Sequence, residues 1–133
     1  MDKKKLLKHL VFLMFFIFIV YLLNLKFFWD SLLWYFDMGV HFLSGLWVGM
    51  FFLYVLSTKN PISLSLKSFL KITLLVLIIG ILWELFQYIM NIISTTPFDP
   101  VDSTSDVIFD LLGSALSFFY YAKIIMPIKE NTI

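Results

Sequence analysis

Five ionisable residues lie inside or at the edges of long apolar stretches, where such side chains are rare. They are Asp37, His41, Glu84, Asp106 and Asp110. Carboxylate oxygens together with one imidazole suit Mg²⁺, Mn²⁺, Fe²⁺ or Zn²⁺. A divalent cation held by them would polarise a phosphoryl or carbonyl oxygen and activate a bound water molecule. The sequence therefore predicts a divalent-cation site, with Mg²⁺, Mn²⁺ or Zn²⁺ as its occupant, and the same five residues are the candidates for catalysis.

The chain offers these carboxylates no basic partner within the apolar stretches. All ten basic residues are Lys, none is Arg, and every Lys lies near a terminus or between the stretches. An ionised side chain at the centre of a bilayer costs at least about 2.5–3.5 kcal/mol on insertion scales. A cation, protons or water must therefore compensate the acids. The absence of Arg also argues against a bidentate phosphate clamp, so a phosphate would depend on metal or amide donors.

The acidic residues recur with small or polar residues at steps of three or four, which places each set on one helix face. The three rows are Asp37, His41, Ser44 or Gly45, and Gly49; Gly80, Glu84, Gln87 and Asn91; and Asp106, Asp110, Gly113 and Ser117. Small residues allow close approach of helices in lipid, so these faces should pack together with the acids inward. We expect Gln87 and Asn91 to support the ligands rather than to bind the cation.

The elements that carry these rows are four apolar stretches at residues of about 6–25, 31–57, 69–93 and 105–126. A spanning helix needs about 20 mostly apolar residues. The chain is 61% apolar and 14% charged, whereas globular domains are about 25% charged. The sequence therefore predicts an all-α, four-helix integral membrane bundle, as a single domain over residues 1–133. Without cysteine, disulfides, iron–sulfur clusters and thiolate zinc sites are excluded.

Lysines predict the orientation of this bundle. They concentrate at residues 3–8, 59–71 and 123–129, whereas the two alternate connections together carry one Lys. By the positive-inside rule, both termini should be cytoplasmic. We expect a multi-pass protein of the cell membrane, with the bilayer and a lipid-linked substrate as its partners and no nucleic acid, because the net charge is only +1.

Depth in the membrane gives a second argument for one common site. Measured from the outer helix ends, His41, Glu84 and Asp110 lie roughly 8–15 Å deep at about 1.5 Å per residue. Asp37 and Asp106 lie one turn nearer the surface. These levels predict a polar pocket that opens outward.

Structural explanations compete with the functional ones. Ser103 and Asp106 match a capping box, so capping alone explains Asp106 equally well. A protonated Glu84 hydrogen-bonded to Gln87 or His41 would hold helices together. Three functions therefore stay open: cation-dependent action on an envelope lipid or cell-wall precursor, a proton or cation pathway, and non-catalytic assembly in the membrane.

Three short motifs occur in order along the last three stretches. They are DMGVHF at 37–42, ELFQ at 84–87 and DVIFDLLG at 106–113. Together they resemble the VanZ-like group of small bacterial membrane proteins and the related YjdF-type proteins. Met38 stands where the VanZ-like pattern often has Lys, Asp110 stands where Asn is usual, and the basic loop residue before the last helix is missing.

The resemblance implies a role at the cell envelope. VanZ itself is associated with low-level teicoplanin resistance, which implies chemistry on envelope lipids or lipid-linked cell-wall precursors. The implied setting is a bacterial or archaeal cell membrane.

Overall fold

The structure is a computed structural model that describes residues 2–95 and 97–126, without the side chains of residues 93 and 94. The predicted all-α membrane bundle is confirmed, since four of its helices are long and apolar enough to cross a bilayer. Lys129, part of the predicted cytoplasmic tail, lies outside the described residues. The elements are α1 (Lys3–Phe27), α2 (Trp29–Leu32), α3 (Phe36–Lys59), α4 (Leu66–Ser94), α5 (Pro100–Tyr120) and a π-helical turn (Tyr121–Ile125).

The connection between the first two long helices is itself structured. Phe28 adopts a left-handed conformation, with φ of 54°, which ends α1. The side-chain oxygen of Asn24 then accepts a hydrogen bond from the backbone N–H of Asp30 at 2.8 Å, at the start of the short helix α2. The second spanning helix begins at Phe36 rather than at about residue 31, because this short helix and its turn precede it.

The last spanning helix begins five residues earlier than residue 105. Asp99 is its N-cap, and the Asp99 carboxylate accepts hydrogen bonds from Val101 N–H at 2.9 Å and Asp102 N–H at 3.3 Å. Pro100 follows at the first helical position, where its missing N–H costs nothing. The alternative capping role of Asp106 is therefore wrong: Asp106 lies in the second turn and is buried.

The long helices run up and down, so both ends of the described chain meet. The backbone N–H of Asp2 donates to the Ile125 carbonyl at 3.2 Å. We call the end of the bundle where residues 2 and 125 meet the lysine end, because Lys3, Lys59 and Lys67 also lie there. The opposite end, where α1 ends and α3 begins, is called the site end.

Glycines bring α3 and α5 into backbone contact, the closest packing in the bundle. A Cβ at Gly45 would collide with the backbone carbonyl of Asp110, and one at Gly113 would collide with that of Phe42. A Cβ at Gly49 would collide instead with the side chain of Ser117. The rows of small residues are thus the packing faces, as their spacing predicts.

Apolar packing is concentrated at the lysine end, where Trp47 also donates to the Leu10 carbonyl at 3.0 Å. The buried apolar cluster consists of Leu6, Leu10, Met50, Leu53, Ile72, Phe118, Tyr121 and Ile125. This cluster holds α1, α3, α4 and α5 together on one side of the bundle. The site end is held by the glycine contacts, and its interior carries the polar residues.

Candidate metal centre

His41 is the centre of the polar cluster. It lies one turn into α3, is 7% exposed and faces α5 across the glycine contact. Its Nε2 atom is 3.4 Å from Asp106 Oδ2 and 3.8 Å from Asp37 Oδ1. Its Nδ1 atom is 3.3 Å from Asp110 Oδ1. Both ring nitrogens therefore face carboxylates, two on one side and one on the other.

Asp37, His41 and Asp106 each present one ligand atom within 4.8 Å of the others, and they form the one such group in the described part of the chain. Two come from α3 at i and i+4, and the third comes from α5. Ligands 2.0–2.2 Å from a tetrahedral zinc ion lie about 3.3–3.6 Å apart. The 3.4 Å from His41 Nε2 to Asp106 Oδ2 lies within this range, the 3.8 Å to Asp37 Oδ1 lies slightly above it, and the ligand atoms of the two aspartates lie within 4.8 Å of each other.

Asp110 completes the arrangement from the other side of the ring. With the proton on Nδ1, His41 donates to Asp110, and its Nε2 lone pair then points towards Asp37 and Asp106. A carboxylate behind a metal-binding histidine fixes the tautomer and orients the ring in this way. Gly80 of α4 leaves space for this carboxylate, because a Cβ there would lie 2.9 Å from Asp110 Oδ2.

Accessibility differs sharply between the two carboxylates on the Nε2 side. The Asp106 side chain is 3% exposed, whereas the Asp37 side chain is 51% exposed. Asp37 therefore forms the rim of the cluster at the site end, and Asp106 forms its floor. A cation approaching from the site end meets Asp37 first.

Glu84 stands apart from this group. It is 9% exposed, and neither carboxylate oxygen has a hydrogen-bond partner among the described residues. Of the two supporting residues, Gln87 lines the cavity beside the cluster, and Asn91 is half-buried near the end of α4. The structure thus brings together four of the five candidate residues and places Glu84 outside the three-ligand group.

A cavity of about 510 Å³ adjoins the cluster between α1, α3 and α4. Its polar lining includes the side chains of Asp30, Asp37, His41, Gln87 and Asp110 together with Ser44, and most of the other lining residues are apolar. Sequence analysis missed the contribution of α1, whose Tyr21 and Asn24 also line the cavity. In the sequence, the one indication of this contribution is Asn24, a polar residue near the end of the first apolar stretch.

A comparison with protein families shows which family the chain belongs to. The family DUF2238, described as a predicted membrane protein, matches residues 3–126. The chain belongs to this family. No curated protein and no solved structure matches it. The DUF2238 match covers all four candidate spans of this protein and every residue of the polar cluster.

Proposed function

We propose that this DUF2238 protein binds a divalent cation through Asp37, His41 and Asp106 and uses it on a lipid-linked or cell-wall precursor at the cell envelope. The observation that carries the proposal is the grouping of these ligand atoms within 4.8 Å. Asp110 supports it, because this carboxylate lies on the second ring nitrogen of His41 at 3.3 Å.

Charge gives a further reason for a cation. Three carboxylates surround one imidazole inside the bundle, and the nearest spans contribute no Lys to the cavity lining. A divalent ion would offset two of these negative charges, which matters most for the buried Asp106 and Asp110. It would also supply Lewis-acid activation of a phosphoryl or carbonyl oxygen.

The geometry favours Zn²⁺ among Mg²⁺, Mn²⁺ and Zn²⁺. Octahedral Mg²⁺ at 2.0–2.1 Å places neighbouring ligands about 2.9 Å apart and prefers oxygen donors. The separations of 3.4 and 3.8 Å from His41 Nε2 to the two carboxylate oxygens both exceed that octahedral spacing, and imidazole is a usual zinc ligand. Three protein ligands leave the fourth position for water or substrate, as in catalytic zinc sites.

Orientation and setting belong to the same proposal. The lysine end faces the cytoplasm, with both termini, and the site end faces outward. The motifs at 37–42, 84–87 and 106–113 resemble the VanZ-like and YjdF-type proteins, which supports a role in envelope chemistry in the cell membrane.

The experiment is metal analysis of the purified, detergent-solubilised protein with a matched pair of variants. Asp106→Asn removes a ligand oxygen's charge with little change in shape, and we expect it to abolish stoichiometric zinc binding. Asp102→Asn makes the same chemical change one turn earlier on α5, at an exposed side chain outside the group, and should retain zinc.

Elemental analysis and calorimetric titration with Zn²⁺, Mn²⁺ and Mg²⁺ measure the outcome. We expect one zinc ion per chain in the native protein and in Asp102→Asn. Absence of a stoichiometric ion in the native protein, or equal affinities in the two variants, would reject the metal centre.

A proton or cation pathway is the second candidate, and Glu84 favours it. The buried carboxylate of Glu84 has no hydrogen-bond partner among the described residues, and acidic residues inside membrane spans commonly mark ion or proton pathways. Glu84→Gln should then abolish ion flux into liposomes that contain the protein. Absence of flux in the native protein would eliminate this candidate.

A further inference from the structure

We infer that the substrate is a phosphate-bearing lipid that enters the cavity sideways from the bilayer, between α1 and α4. The inference rests on the proposed cation site, which would hold the phosphate, and it adds the route and the chemical class. Three observations support the inference: the length of the cavity, the difference in polarity between its two ends, and a gap in the packing between α1 and α4.

The cavity is long and its polarity changes along its length. On α3 its lining runs from Phe36 and Asp37 to Val48, and on α4 it runs from Gln87 to Val76; we compare the stretches that begin at the polar residues Asp37 and Gln87. Each stretch covers eleven residue steps, or about 16 Å at 1.5 Å per residue. Because the two helices are antiparallel, both polar ends lie at the site end and both valines lie towards the middle of the bundle. A headgroup with part of an acyl or isoprenoid chain matches this gradient.

A lateral opening connects the cavity with the lipid. Helix α1 packs on α3, and α4 packs on α3 and α5, but α1 and α4 do not pack along each other within the described residues. Tyr21 of α1 and Trp83 of α4 line the cavity at the edges of this gap, and both are about half exposed. Each ring carries one polar atom, and both residues lie well inside their spans, Tyr21 six residues before the end of α1 and Trp83 eleven residues before the end of α4.

The polar end selects the headgroup. Among the described residues the lining includes no Lys and three carboxylates, those of Asp30, Asp37 and Asp110, so an anionic group can be held there only with a cation. Of the proposed ligands, Asp37 and His41 line the cavity, so a metal ion held there with Asp106 would supply the positive charge, and the amides of Asn24 and Gln87 would supply neutral N–H donors. Phosphate binding should therefore depend on the cation, whereas the apolar lining should bind the chain without it.

The test measures binding of three probes to the native protein by native mass spectrometry, with and without Zn²⁺. The probes are dioleoyl phosphatidic acid, dioleoylglycerol, which lacks the phosphate, and glycerol 3-phosphate, which lacks the chains. With Zn²⁺ present, we expect phosphatidic acid to bind at least roughly tenfold more tightly than either comparator, and chelation should remove this advantage.

A matched pair of variants tests the chain-binding part of the cavity. Val48→Phe fills the apolar lining, whereas Val55→Phe adds the same ring to α3 at an exposed position outside the cavity. Val48→Phe should weaken phosphatidic acid binding roughly tenfold and leave zinc affinity within about twofold of native, which also shows that the metal centre remains folded. Val55→Phe should change neither quantity.

The outcomes separate this inference from the cation site. If zinc binds but phosphatidic acid binds no better than dioleoylglycerol, the lipid inference is wrong and the metal centre stands. Equal binding of glycerol 3-phosphate would identify a soluble phosphate as the ligand and overturn the lateral route. Failure of zinc to bind the native protein overturns both proposals. Equal effects of the two Phe variants would remove the cavity as the chain site.

Discussion

Adding one methyl group at Gly45 should separate the two helices that form the metal centre. The Cβ of an alanine there would collide with the backbone carbonyl of Asp110, which no side-chain rotation can relieve. Overpacking of this kind costs about 1–3 kcal/mol. We therefore expect Gly45→Ala to lower the free energy of unfolding by that amount, although alanine is the better helix former.

Gly39 provides the matched control on the same helix. A Cβ at this position meets no atom within 4 Å, so only the backbone effect remains. Alanine in place of glycine in a helix gains about 0.5–1 kcal/mol. The two variants should therefore differ by about 1.5–4 kcal/mol in stability, with the native protein between them.

Unfolding in mixed micelles, followed by circular dichroism, measures this difference, and zinc titration measures its effect on the site. Because Gly45→Ala displaces Asp110 from the His41 ring, zinc affinity should fall about 10–100-fold. Equal stability and equal zinc affinity of the Gly45 and Gly39 variants would refute the backbone contact as the feature that builds the cluster.

Four further changes probe other contacts. Asp110→Asn should weaken zinc binding about 10–100-fold in titrations, because an amide orients the His41 ring less well. Zinc affinity should fall as the pH falls, because protons compete with the cation for its ligands; an affinity independent of pH would contradict the assignment. Asp99→Ala removes the N-cap of α5 and should cost about 0.5–2 kcal/mol in unfolding measurements. Tyr120→Phe removes the 2.8 Å hydrogen bond to His9 and should cost about 0.5–1.5 kcal/mol while zinc affinity stays unchanged.

The rows of polar and small residues made the packing of the site predictable from the sequence. The steps from Asp37 to His41 and from Asp106 to Asp110 place each pair on one face, and Gly45 lies one turn further on the same face as His41. Lipid gives no hydrophobic reason to bury such a face, so close packing is the remaining reason for glycines there. These residues predicted that the faces pack together, whereas the particularly close pairing of α3 with α5 is seen only in the structure.

The separation of Glu84 from the cluster could not be predicted from spacing alone. At 100° per residue, Glu84 and Gln87 lie about 60° apart around α4. That angle is small enough for one polar row, yet it is enough to turn Gln87 into the cavity and Glu84 away from it. Which of the two faces the cluster depends on the rotation of α4 against its neighbours, and only the packed structure gives this rotation.

The start of α5 illustrates a different kind of error. The apolar pattern begins near residue 105, whereas the helix begins at Pro100, directly after the Asp99 cap. Capping chemistry, rather than hydropathy, sets a helix boundary. The additional turn lies at the site end and carries Asp102, the control position in the zinc experiment.

The hydrogen bond between the backbone of Asp2 and Ile125 offers a simple reporter of assembly in native membranes. The sequence has no cysteine, so in the double variant Asp2→Cys, Ile124→Cys the two introduced thiols can form an intramolecular disulfide only with each other. Ile124 is exposed, so an oxidant can reach it. Oxidation should then close the chain into a covalent ring whenever the bundle is correctly formed. The oxidation is carried out in intact vesicles, before any detergent is added. Faster migration of the disulfide-closed chain on a subsequent denaturing gel would then report that the bundle had folded in the membrane.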